Sequence, residues 1–378
     1  MSFLNGLFGL FKKLTLFILI FAIAIPLRYG STNLKYLQFR VLHSMLSLKY
    51  SFVPDQVRPT LSAEYRAFET LLRMNPPSKR DPFADLLTSV KEFRASFRFD
   101  TILPKPSQCQ VNKEIFEYNG HTIDAYWINN HQKNFTRNLD NVLVYLHGGG
   151  YMFGDIQGYS GYECHLSQLF NISVLHVEYR LIPEHPLPSA VEDTVAIYRA
   201  LLHNYTSSSQ IIIMGDSAGG GLSLLTIQAL IAQQLPVPRG IIVLSPWTDL
   251  SASGESYTRN HLTDVMISAA DSKWIASHVF GPNHSRLSLD SSIVSPLFGS
   301  FKGFPPIYIN VGTAEILEDD SKRVFKKAQE AGVDVTLEEG LHLMHVYPAF
   351  FPYYPEARNT LDNINKWIQT LFDRKHNE

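Results

Sequence analysis

A single hexapeptide, Gly-Asp-Ser-Ala-Gly-Gly at residues 215–220, constrains this chain more than any other feature. The apolar residues 211–214 before it predict a strand, and the Leu-, Ile- and Ala-rich residues 222–233 after it predict a helix. A Gly-x-Ser-x-Gly turn between a strand and a helix lifts its serine out of the sheet as a nucleophile. The same short pattern also arises by chance in glycine-rich turns, so the rest of the sequence has to decide between the two interpretations.

Length and composition set outer bounds on the kind of protein. A chain of 378 residues with 45% hydrophobic residues can form one large α/β domain with additions. A formal net charge of −2 gives no electrostatic reason to expect a nucleic-acid partner. The two cysteines, Cys109 and Cys164, allow at most one disulfide, which excludes a disulfide scaffold and a zinc ribbon. The histidines show no metal-ligand spacing, so we expect neither a metal nor an organic cofactor.

The N-terminal residues 1–29 predict a hydrophobic membrane anchor. Lys12 and Lys13 precede the run 14–27, in which only Thr15 interrupts the apolar character. This run is shorter than the ~20 residues that span a bilayer unaided, although Arg28 and Tyr29 can extend it into the interface. Two alternatives stay open, a cleaved signal peptide and a buried or interfacial helix.

The orientation of this anchor is less constrained by the sequence. Lys12 and Lys13 before the apolar run are balanced by the basic residues that follow it. Four Asn-x-Ser/Thr sequons weakly favour a body in the lumen, as in a glycoprotein. They lie at Asn134, Asn171, Asn204 and Asn283. Asn171 is expected at the start of a buried strand, which would make it a poor glycan acceptor.

The order of patterns along the chain predicts an α/β fold. Residues 30–110 carry amphipathic helical spacing, and residues 112–118 and 121–128 alternate as an edge hairpin around Asn119-Gly120. Strand, loop and helix then follow in succession within a unit at 111–378. Strand cores free of polar interruptions indicate a mostly parallel, doubly wound sheet. These cores lie at 142–146, 173–177, 211–214, 241–244 and 307–311. Residues 250–300 lack a strand pattern, and their helical segment at 271–280 is expected over the site.

A second glycine run follows the first of these strands. His147 and Tyr151 flank three consecutive glycines, Gly148, Gly149 and Gly150. Such a run leaves backbone N–H groups free to converge on one point, as stabilisation of an oxyanion requires. The N–H of Ala218, directly after the serine, would add a further donor. The alternative is a glycine-rich turn without a ligand.

A nucleophilic serine needs a histidine to take its proton and an acid to orient that histidine. His342 and His345 both stand late in the chain, where this architecture requires the base. The acid belongs after the strand at 307–311, where Glu315 comes first and Asp319 and Asp320 follow. The two aspartates are also explained by the dipole at the start of a helix.

Several motifs together resemble the hormone-sensitive-lipase-like α/β-hydrolases, which include arylacetamide deacetylases and fungal steryl deacetylases. The similar segments cover about residues 140–350. They are His-Gly-Gly-Gly at 147–150, the hexapeptide at 215–220, the run 179–190, Ser-Pro-Trp-Thr-Asp at 245–249 and residues 312–320. The combination is specific, whereas each piece alone is not.

The resemblance implies a role for each residue of the site. Ser217 would be the nucleophile, His345 the base and Glu315 the orienting acid, at a spacing similar to that of the family. The oxyanion hole would comprise Gly148, Gly149, Gly150 and Ala218, with donors at the last three. His147 and Asp216 would be structural residues near the site. One departure is that the family usually has aspartate where this chain has Glu315.

These observations predict a serine carboxylic-ester hydrolase that cleaves apolar, small-molecule acyl esters through an acyl-enzyme. Helices at 30–110 and the segment 250–300 would form the cap. The resemblance implies a single-pass signal-anchor in the endoplasmic reticulum membrane, with the catalytic domain in the lumen. Two alternatives remain, a steryl or lipid acetate deacetylase and a catalytically inactive binding protein of the same fold.

Overall fold

The computed structural model describes residues 28, 29, 31, 33–75, 85–96, 99–118, 120–129, 141–281 and 288–373. Nearly all of the predicted anchor, Asn119 of the predicted hairpin turn, and the sequons at Asn134 and Asn283 lie outside the described residues. Within the described residues, no helix has both the length and the apolar character needed to cross a bilayer.

An eight-stranded sheet forms the centre of the molecule, in the order β1-β2-β4-β3-β5-β6-β7-β8. The strands are β1 Gln110–Tyr118, β2 His121–Asn129, β3 Val142–Leu146, β4 Ser173–Val177, β5 Ile211–Asp216, β6 Gly240–Leu244, β7 Ile307–Gly312 and β8 Val335–Gly340. The hairpin β1–β2 joins the sheet antiparallel to β4, and the other neighbouring pairs run parallel. The prediction of a mostly parallel α/β sheet is therefore confirmed.

Burial explains which strands could be predicted from the sequence. Every residue of β3 to β7 is buried, because helices cover both faces of the sheet, and the five apolar runs correspond to these strands. The edge strand β8 is only partly buried and carries Glu338 and Glu339, so it lacks the continuous apolar run.

Ten helices are described alongside the sheet. They are α1 Leu34–Ser51, α2 Ala63–Met74, α3 Leu86–Ser96, α4 Ile156–Phe170, α5 Ser189–Asn204, α6 Ala218–Ala232, α7 Ser256–Arg259, α8 Ala269–Ala276, α9 Glu318–Glu330 and α10 Pro355–Asp373. Buried residues of α5, α6 and α9 belong to one apolar core, and those of α1, α2, α4 and α10 belong to a second. The two cores lie on opposite faces of the sheet, which makes it doubly wound.

The N-terminal helices pack onto the C-terminal part of the chain. Phe68 of α2 contacts Phe350, Tyr353 and Tyr354 with ring centroids 4.9–5.4 Å apart. The amphipathic spacing in this region matches the structure, since Ala67 and Leu71 of α2 are both buried. The division of the chain into cap and catalytic domains stays a prediction.

One disulfide joins Cys109, directly before β1, to Cys164 in α4, with their Cα atoms 6.0 Å apart. The sequence left this pairing open because it gives no distance between the two Cα atoms. The bond ties residues 30–110, called here the N-terminal layer, to α4, the helix that covers β3 and β4.

Candidate active site

Ser217 occupies a sharp turn between β5 and α6. Its backbone has φ 53° and ψ −121°, a conformation that residues other than glycine rarely adopt. The Ser217 N–H donates to Leu244 O at 2.8 Å, and Ser217 O accepts from the Trp247 N–H at 2.9 Å. The strained turn is thus held by the segment that follows the neighbouring strand β6, and the side chain remains partly exposed.

The glycines of this turn are required by close backbone approach. A Cβ on Gly219 would lie 1.9 Å from Leu146 O, and a Cβ on Gly215 would lie 2.3 Å from Gly219 O. Since real Cβ atoms do not approach other atoms this closely, any larger residue would push α6 away from β3. The glycines of the hexapeptide are therefore required by packing, and the role of Ser217 stays a prediction.

The predicted base and acid meet at the same edge of the sheet. His345 Nδ1 lies 3.2 Å from Glu315 Oε1, and both side chains are buried. Glu315 follows β7 and His345 follows β8, so two parallel strands position these residues at the same edge of the sheet. The other carboxylate oxygen, Glu315 Oε2, accepts from Ser245 Oγ at 2.7 Å and from the Gly312 N–H at 3.1 Å.

Ser245 links this pair to the serine turn. It comes directly after Leu244, whose carbonyl accepts the Ser217 N–H, and its Oγ accepts the Val346 N–H at 2.9 Å. Within the described part of the chain, the Ser217 hydroxyl makes no hydrogen bond. In unliganded serine enzymes the contact between nucleophile and base often tightens only when substrate binds.

Two opposing effects determine the pKa of His345. Burial favours the neutral imidazole and would lower its pKa. The charge of Glu315 and its hydrogen bond outweigh burial, with smaller contributions from Asp264 and Asp216, so the pKa of His345 is raised above 6.5. The bond to Nδ1 leaves Nε2 as the nitrogen available for proton transfer.

The other candidate acids and the second histidine are engaged elsewhere. Asp319 Oδ2 accepts the Ser256 N–H at 2.8 Å, and Asp320 Oδ2 accepts the Thr248 and Asp249 N–H groups at 2.8 Å. Both aspartates therefore fix the segment after β6. The His342 side chain is half-buried, and its backbone N–H donates to Thr313 Oγ1 at 2.8 Å.

The glycine run after β3 has the conformation that only glycine adopts readily. Gly149 and Gly150 have φ values of +114° and +62°, and their N–H groups donate to no other described residue. The Ala218 N–H, at the first position of α6, is likewise unpaired within the described residues. These three groups are therefore available as hydrogen-bond donors to a ligand.

Gly148 was expected in the oxyanion hole without a donor role, and its N–H is bound within the protein. Its N–H donates to Asp216 Oδ1 at 3.0 Å and so points away from a ligand. A Cβ at this position would lie 2.2 Å from Asp216 Oδ2, so Gly148 is needed for close packing. Its role is to bring the glycine run against the serine turn.

Asp216 is the buried group that joins these two loops. Besides the Gly148 N–H, its carboxylate accepts from the hydroxyls of Tyr145 at 2.7 Å and Tyr159 at 3.2 Å. Burial raises the pKa of Asp216, and the hydrogen bonds from Tyr145 and Gly148 oppose that rise. The carboxylate thus supports the site without facing the reacting atoms.

His147 is a packing residue of the glycine run. Its ring stacks on Tyr179 with centroids 4.3 Å apart, and its carbonyl accepts the Tyr179 hydroxyl at 2.6 Å. Burial and the nearby His176 lower the pKa of His147 to about 4, so the ring is neutral near pH 7.

A cluster beside His147 has donor atoms close enough together for a metal ion. The donor atoms of His147, His176 and Glu178 lie within 4.8 Å of one another. Burial lowers the pKa of His176, but Glu163, whose Oε1 lies 2.7 Å from Nδ1, and Glu178 raise it to about 10. The contacts of His176 with the Glu163 and Glu178 carboxylates make a buried ion cluster an alternative explanation for these residues. The expectation that no metal or cofactor takes part stays a prediction.

Two residues near the site were not identified from the sequence. Ser245 orients Glu315, as described above. Asp264 Oδ2 accepts the N–H of Ile316 at 2.9 Å, and burial raises the pKa of Asp264 to about 6. Ser245 begins the motif at 245–249, to which the sequence assigned no role, whereas Asp264 lies in a segment without any pattern.

Helices outside the sheet contact the glycine run. Ile275 of α8 lies against Gly150, where an added Cβ would be 3.0 Å from Ile275 Cδ1. Arg94 of α3 donates from Nε to Met152 O at 2.8 Å, just after the same run. The segment expected to be helical at 271–280 overlaps α8 and contacts the glycine run, and its position over the site stays a prediction.

Comparison with known proteins identifies relatives of the whole catalytic region. Residues 143–349 match the sequence family described as alpha/beta hydrolase fold. An acetyl-hydrolase of Streptomyces hygroscopicus is 35% identical over 229 residues, which cover 61% of this chain and 75% of that protein. An esterase of Acinetobacter venetianus is 33% identical over 234 residues, with the same two coverages.

Solved structures agree with these sequence relatives. A crystal structure of an esterase/lipase from an uncultured bacterium superposes with a TM-score of 0.73 at 29% identity, covering 83% of this chain and all of that one. An esterase of the bacterial hormone-sensitive lipase family superposes with a TM-score of 0.71 at 32% identity, covering 82% and 99%. The resemblance based on motifs thus extends to the fold and to most of the chain.

Proposed function

This chain belongs to the hormone-sensitive-lipase-like α/β-hydrolases and is a carboxylic ester hydrolase, and we propose that Ser217, His345 and Glu315 carry out its chemistry. The observation that carries the proposal is the 3.2 Å contact between His345 Nδ1 and Glu315 Oε1. The positive φ of Ser217, directly after β5, supports the assignment of the nucleophile.

The reaction proceeds in two displacements. Ser217 Oγ attacks the acyl carbon while His345 Nε2 takes the hydroxyl proton, and the carbonyl oxygen becomes an oxyanion. His345 returns the proton to the departing alcohol oxygen, which leaves an ester between Ser217 and the acyl group. Water then attacks this ester in the same way, and the acid and free Ser217 are released.

The oxyanion is stabilised by the N–H groups of Gly149, Gly150 and Ala218. They are unpaired among the described residues, two in the glycine run and one at the start of α6. A single donor of this kind contributes roughly 3–4 kcal/mol to transition-state stabilisation. Glu315 stabilises the imidazolium that forms on His345, which is the same effect that raises the pKa of His345 in the free enzyme.

We assign the substrate as an ester of a short acyl group with an apolar alcohol, as in a steryl or lipid acetate. The names of the acetyl-hydrolase and esterase relatives support the short acyl group. Aromatic and aliphatic side chains of α3, α8 and the loop after Gly150, among them Phe93, Phe153 and Ile275, support an apolar partner.

We further propose that residues 1–29 anchor the protein in the endoplasmic reticulum membrane, with the catalytic domain in the lumen. The Cys109–Cys164 disulfide supports an oxidising compartment. Asn171 was expected in a buried strand, but it ends α4 in the left-handed conformation and is exposed, as is Asn204. Both sequons are therefore accessible to a glycan, and a mass shift on glycosidase treatment would test the orientation.

Hydrolysis of p-nitrophenyl acetate and octanoate by the full chain in detergent tests the proposed chemistry. Ser217→Ala and His345→Ala are expected to lose about 10⁴-fold or more in kcat, and Glu315→Ala about 10²–10⁴-fold. His342→Ala is the matched control and should retain most of the activity, because its ring is half-exposed. A wild type no faster than Ser217→Ala on every ester would reject this chemistry in favour of a binding protein.

A further inference from the structure

Helix α1 is apolar on two opposite sides. Its inner side contributes Tyr36 and Leu37 to the core that also contains α2 and α10. Its outer side exposes an unusual amount of apolar surface to solvent. Large side chains there are 51–79% exposed, namely Leu34, Leu42, Met45, Leu48 and Phe52. Exposed apolar residues that share one side of a helix indicate that a second surface or medium covers that side.

Four of the exposed residues have the spacing of one helix side, and Leu34 lies eight positions before Leu42, with the exposed Gln38 between them. Met45 follows Leu42 by three positions, Leu48 follows Met45 by three, and Phe52 follows Leu48 by four. At 3.6 residues per turn these side chains lie on one side of α1, with Phe52 as the residue directly after its last turn. These residues therefore form one apolar face and are not scattered. We call this face the stripe; it comprises Leu34, Leu42, Met45, Leu48 and Phe52.

The charged residues of α1 indicate which kind of surface the stripe binds. Residues 34–51 contain no aspartate or glutamate, whereas Lys35 and Lys49 are exposed near the two ends. Arg40 is turned inward and donates to Pro352 O at 2.8 Å. An apolar stripe flanked by lysines matches a lipid surface, where apolar groups enter the acyl region and ammonium groups meet phosphates.

The position of α1 in the chain favours the same surface. The apolar run at residues 14–27, which Lys12 and Lys13 precede, ends shortly before α1 begins. An N-terminal segment bound to lipid would bring the following helix close to the bilayer. A second protein chain would not account for the absence of acidic residues.

We propose that α1 lies in the plane of a lipid bilayer surface and inserts its stripe at the boundary between headgroups and acyl chains. This contact is separate from the proposed anchor and depends on residues 34–52 alone. It requires no spanning helix, since an interfacial helix buries one side only.

The docked helix holds the catalytic side of the molecule near the lipid, an extension that rests on the proposed function. The neighbouring helix α2 contacts the segment around His345, because the Tyr65 hydroxyl donates to His342 O at 3.3 Å. Phe68 of the same helix packs on Phe350 with centroids 4.9 Å apart. Esters dissolved in the bilayer would thus reach the site without crossing bulk water.

A fluorescent label on the stripe tests the contact directly. Cys109 and Cys164 are paired and the described chain has no free cysteine, so Met45→Cys introduces a single reactive thiol. The full chain, labelled there with a nitrobenzoxadiazole dye, is added to vesicles of phosphatidylcholine and phosphatidylserine. Lys326→Cys on α9, a helix that packs on the other face of the sheet, is the control.

Quenching of the dye by lipids with doxyl groups decides the result. We expect at least about twofold quenching at position 45 and none at position 326, as for a helix at the interface. A label at position 45 that stays in water would overturn the proposal. Shielding without lipid quenching, together with a doubled mass in sedimentation, would also overturn it and assign the stripe to a second copy of this chain.

Substitution of the stripe gives an independent readout. Met45→Glu should lower hydrolysis of a long-chain ester held in vesicles about tenfold, while soluble p-nitrophenyl acetate is cleaved within about twofold of the wild-type rate. Ile115→Glu, at another exposed apolar residue, controls for the charge and should change neither rate. Equal loss on both substrates would contradict the proposal, whereas a wild type inactive on soluble ester would contradict the proposed function instead.

Discussion

At the scale of single residues, the acid that we propose to orient His345 is Glu315, where the resemblance led us to expect an aspartate. The longer side chain allows Glu315 to place one oxygen against the imidazole while the other is held by Ser245 and Gly312. The segments after β6 and β8, together with the last residue of β7, thereby fix one carboxylate. The departure from the usual residue is accommodated by hydrogen bonds and does not remove the acid.

The pH dependence of the reaction should reveal the charge of this acid. The base acts only when His345 is neutral, so kcat/KM should rise with pH through its pKa, which Glu315 raises above 6.5. Glu315→Gln removes the charge and leaves burial, which lowers the pKa of His345. We therefore expect the rising limb to move to lower pH, with a plateau lower by about 10²–10⁴-fold, in rates measured with p-nitrophenyl acetate.

Glu330→Gln is the control for this experiment, because Glu330 is an exposed glutamate at the end of α9. It should shift neither the limb nor the plateau. A limb that stays in place in Glu315→Gln would mean that another group sets the pKa of His345, and Asp264 would be the next residue to test.

At the scale of helices and strands, the sequence predicts elements that have a repeating local pattern. It does not predict contacts between residues that are far apart in the chain. The strands β3 to β7 were predicted because both faces of the sheet are covered and their residues are uniformly apolar. The contact of Ser245 with Glu315 spans 70 positions and has no local signature. Asp264 is equally hidden, since its role depends on a loop that folds back onto Ile316.

The packing of α6 against β3 should tolerate no side chain at Gly219. A Cβ there would lie 1.9 Å from Leu146 O and 2.4 Å from His147 O, so Gly219→Ala has to displace the helix or the glycine run. We expect the free energy of unfolding to fall by about 1–3 kcal/mol or more. Urea unfolding and the rate on p-nitrophenyl acetate would measure both the destabilisation and the accompanying loss of activity.

Gly158→Ala in the first turn of α4 is the matched control. Its nearest neighbour outside the helix backbone would be Asp155 Oδ1 at 3.5 Å, an ordinary contact. Alanine should therefore leave activity intact and raise stability by roughly 0.5–1 kcal/mol through helix propensity. Equal stability and activity of the two variants would show that the close approach at Gly219 does not constrain the turn at Ser217.

At the scale of the whole molecule, the N-terminal layer is held to the catalytic sheet by packing and by one covalent bond. The aromatic contacts of Phe68 join α2 to the residues after His345, and Cys109–Cys164 joins the start of β1 to α4. The motifs indicated the fold and the site, whereas the manner in which residues 30–110 attach was not predictable. Attachment depends on distances between segments that no local pattern encodes.

Removal of the disulfide should therefore weaken the whole fold while it spares the chemistry. The bond closes a loop with a sequence separation of 55, and Cys109→Ala/Cys164→Ala would lower the free energy of unfolding by about 2–4 kcal/mol. Alanine avoids placing a hydroxyl in the core, where both cysteines are buried. Below the unfolding transition, kcat on p-nitrophenyl acetate should stay within about twofold, because neither cysteine contacts a catalytic residue. Reductant should lower the urea midpoint of the wild type to that of the variant and leave the variant unchanged. A wild type whose midpoint is insensitive to reductant, even though thiol alkylation shows the bond to be broken, would mean that packing alone holds the N-terminal layer in place.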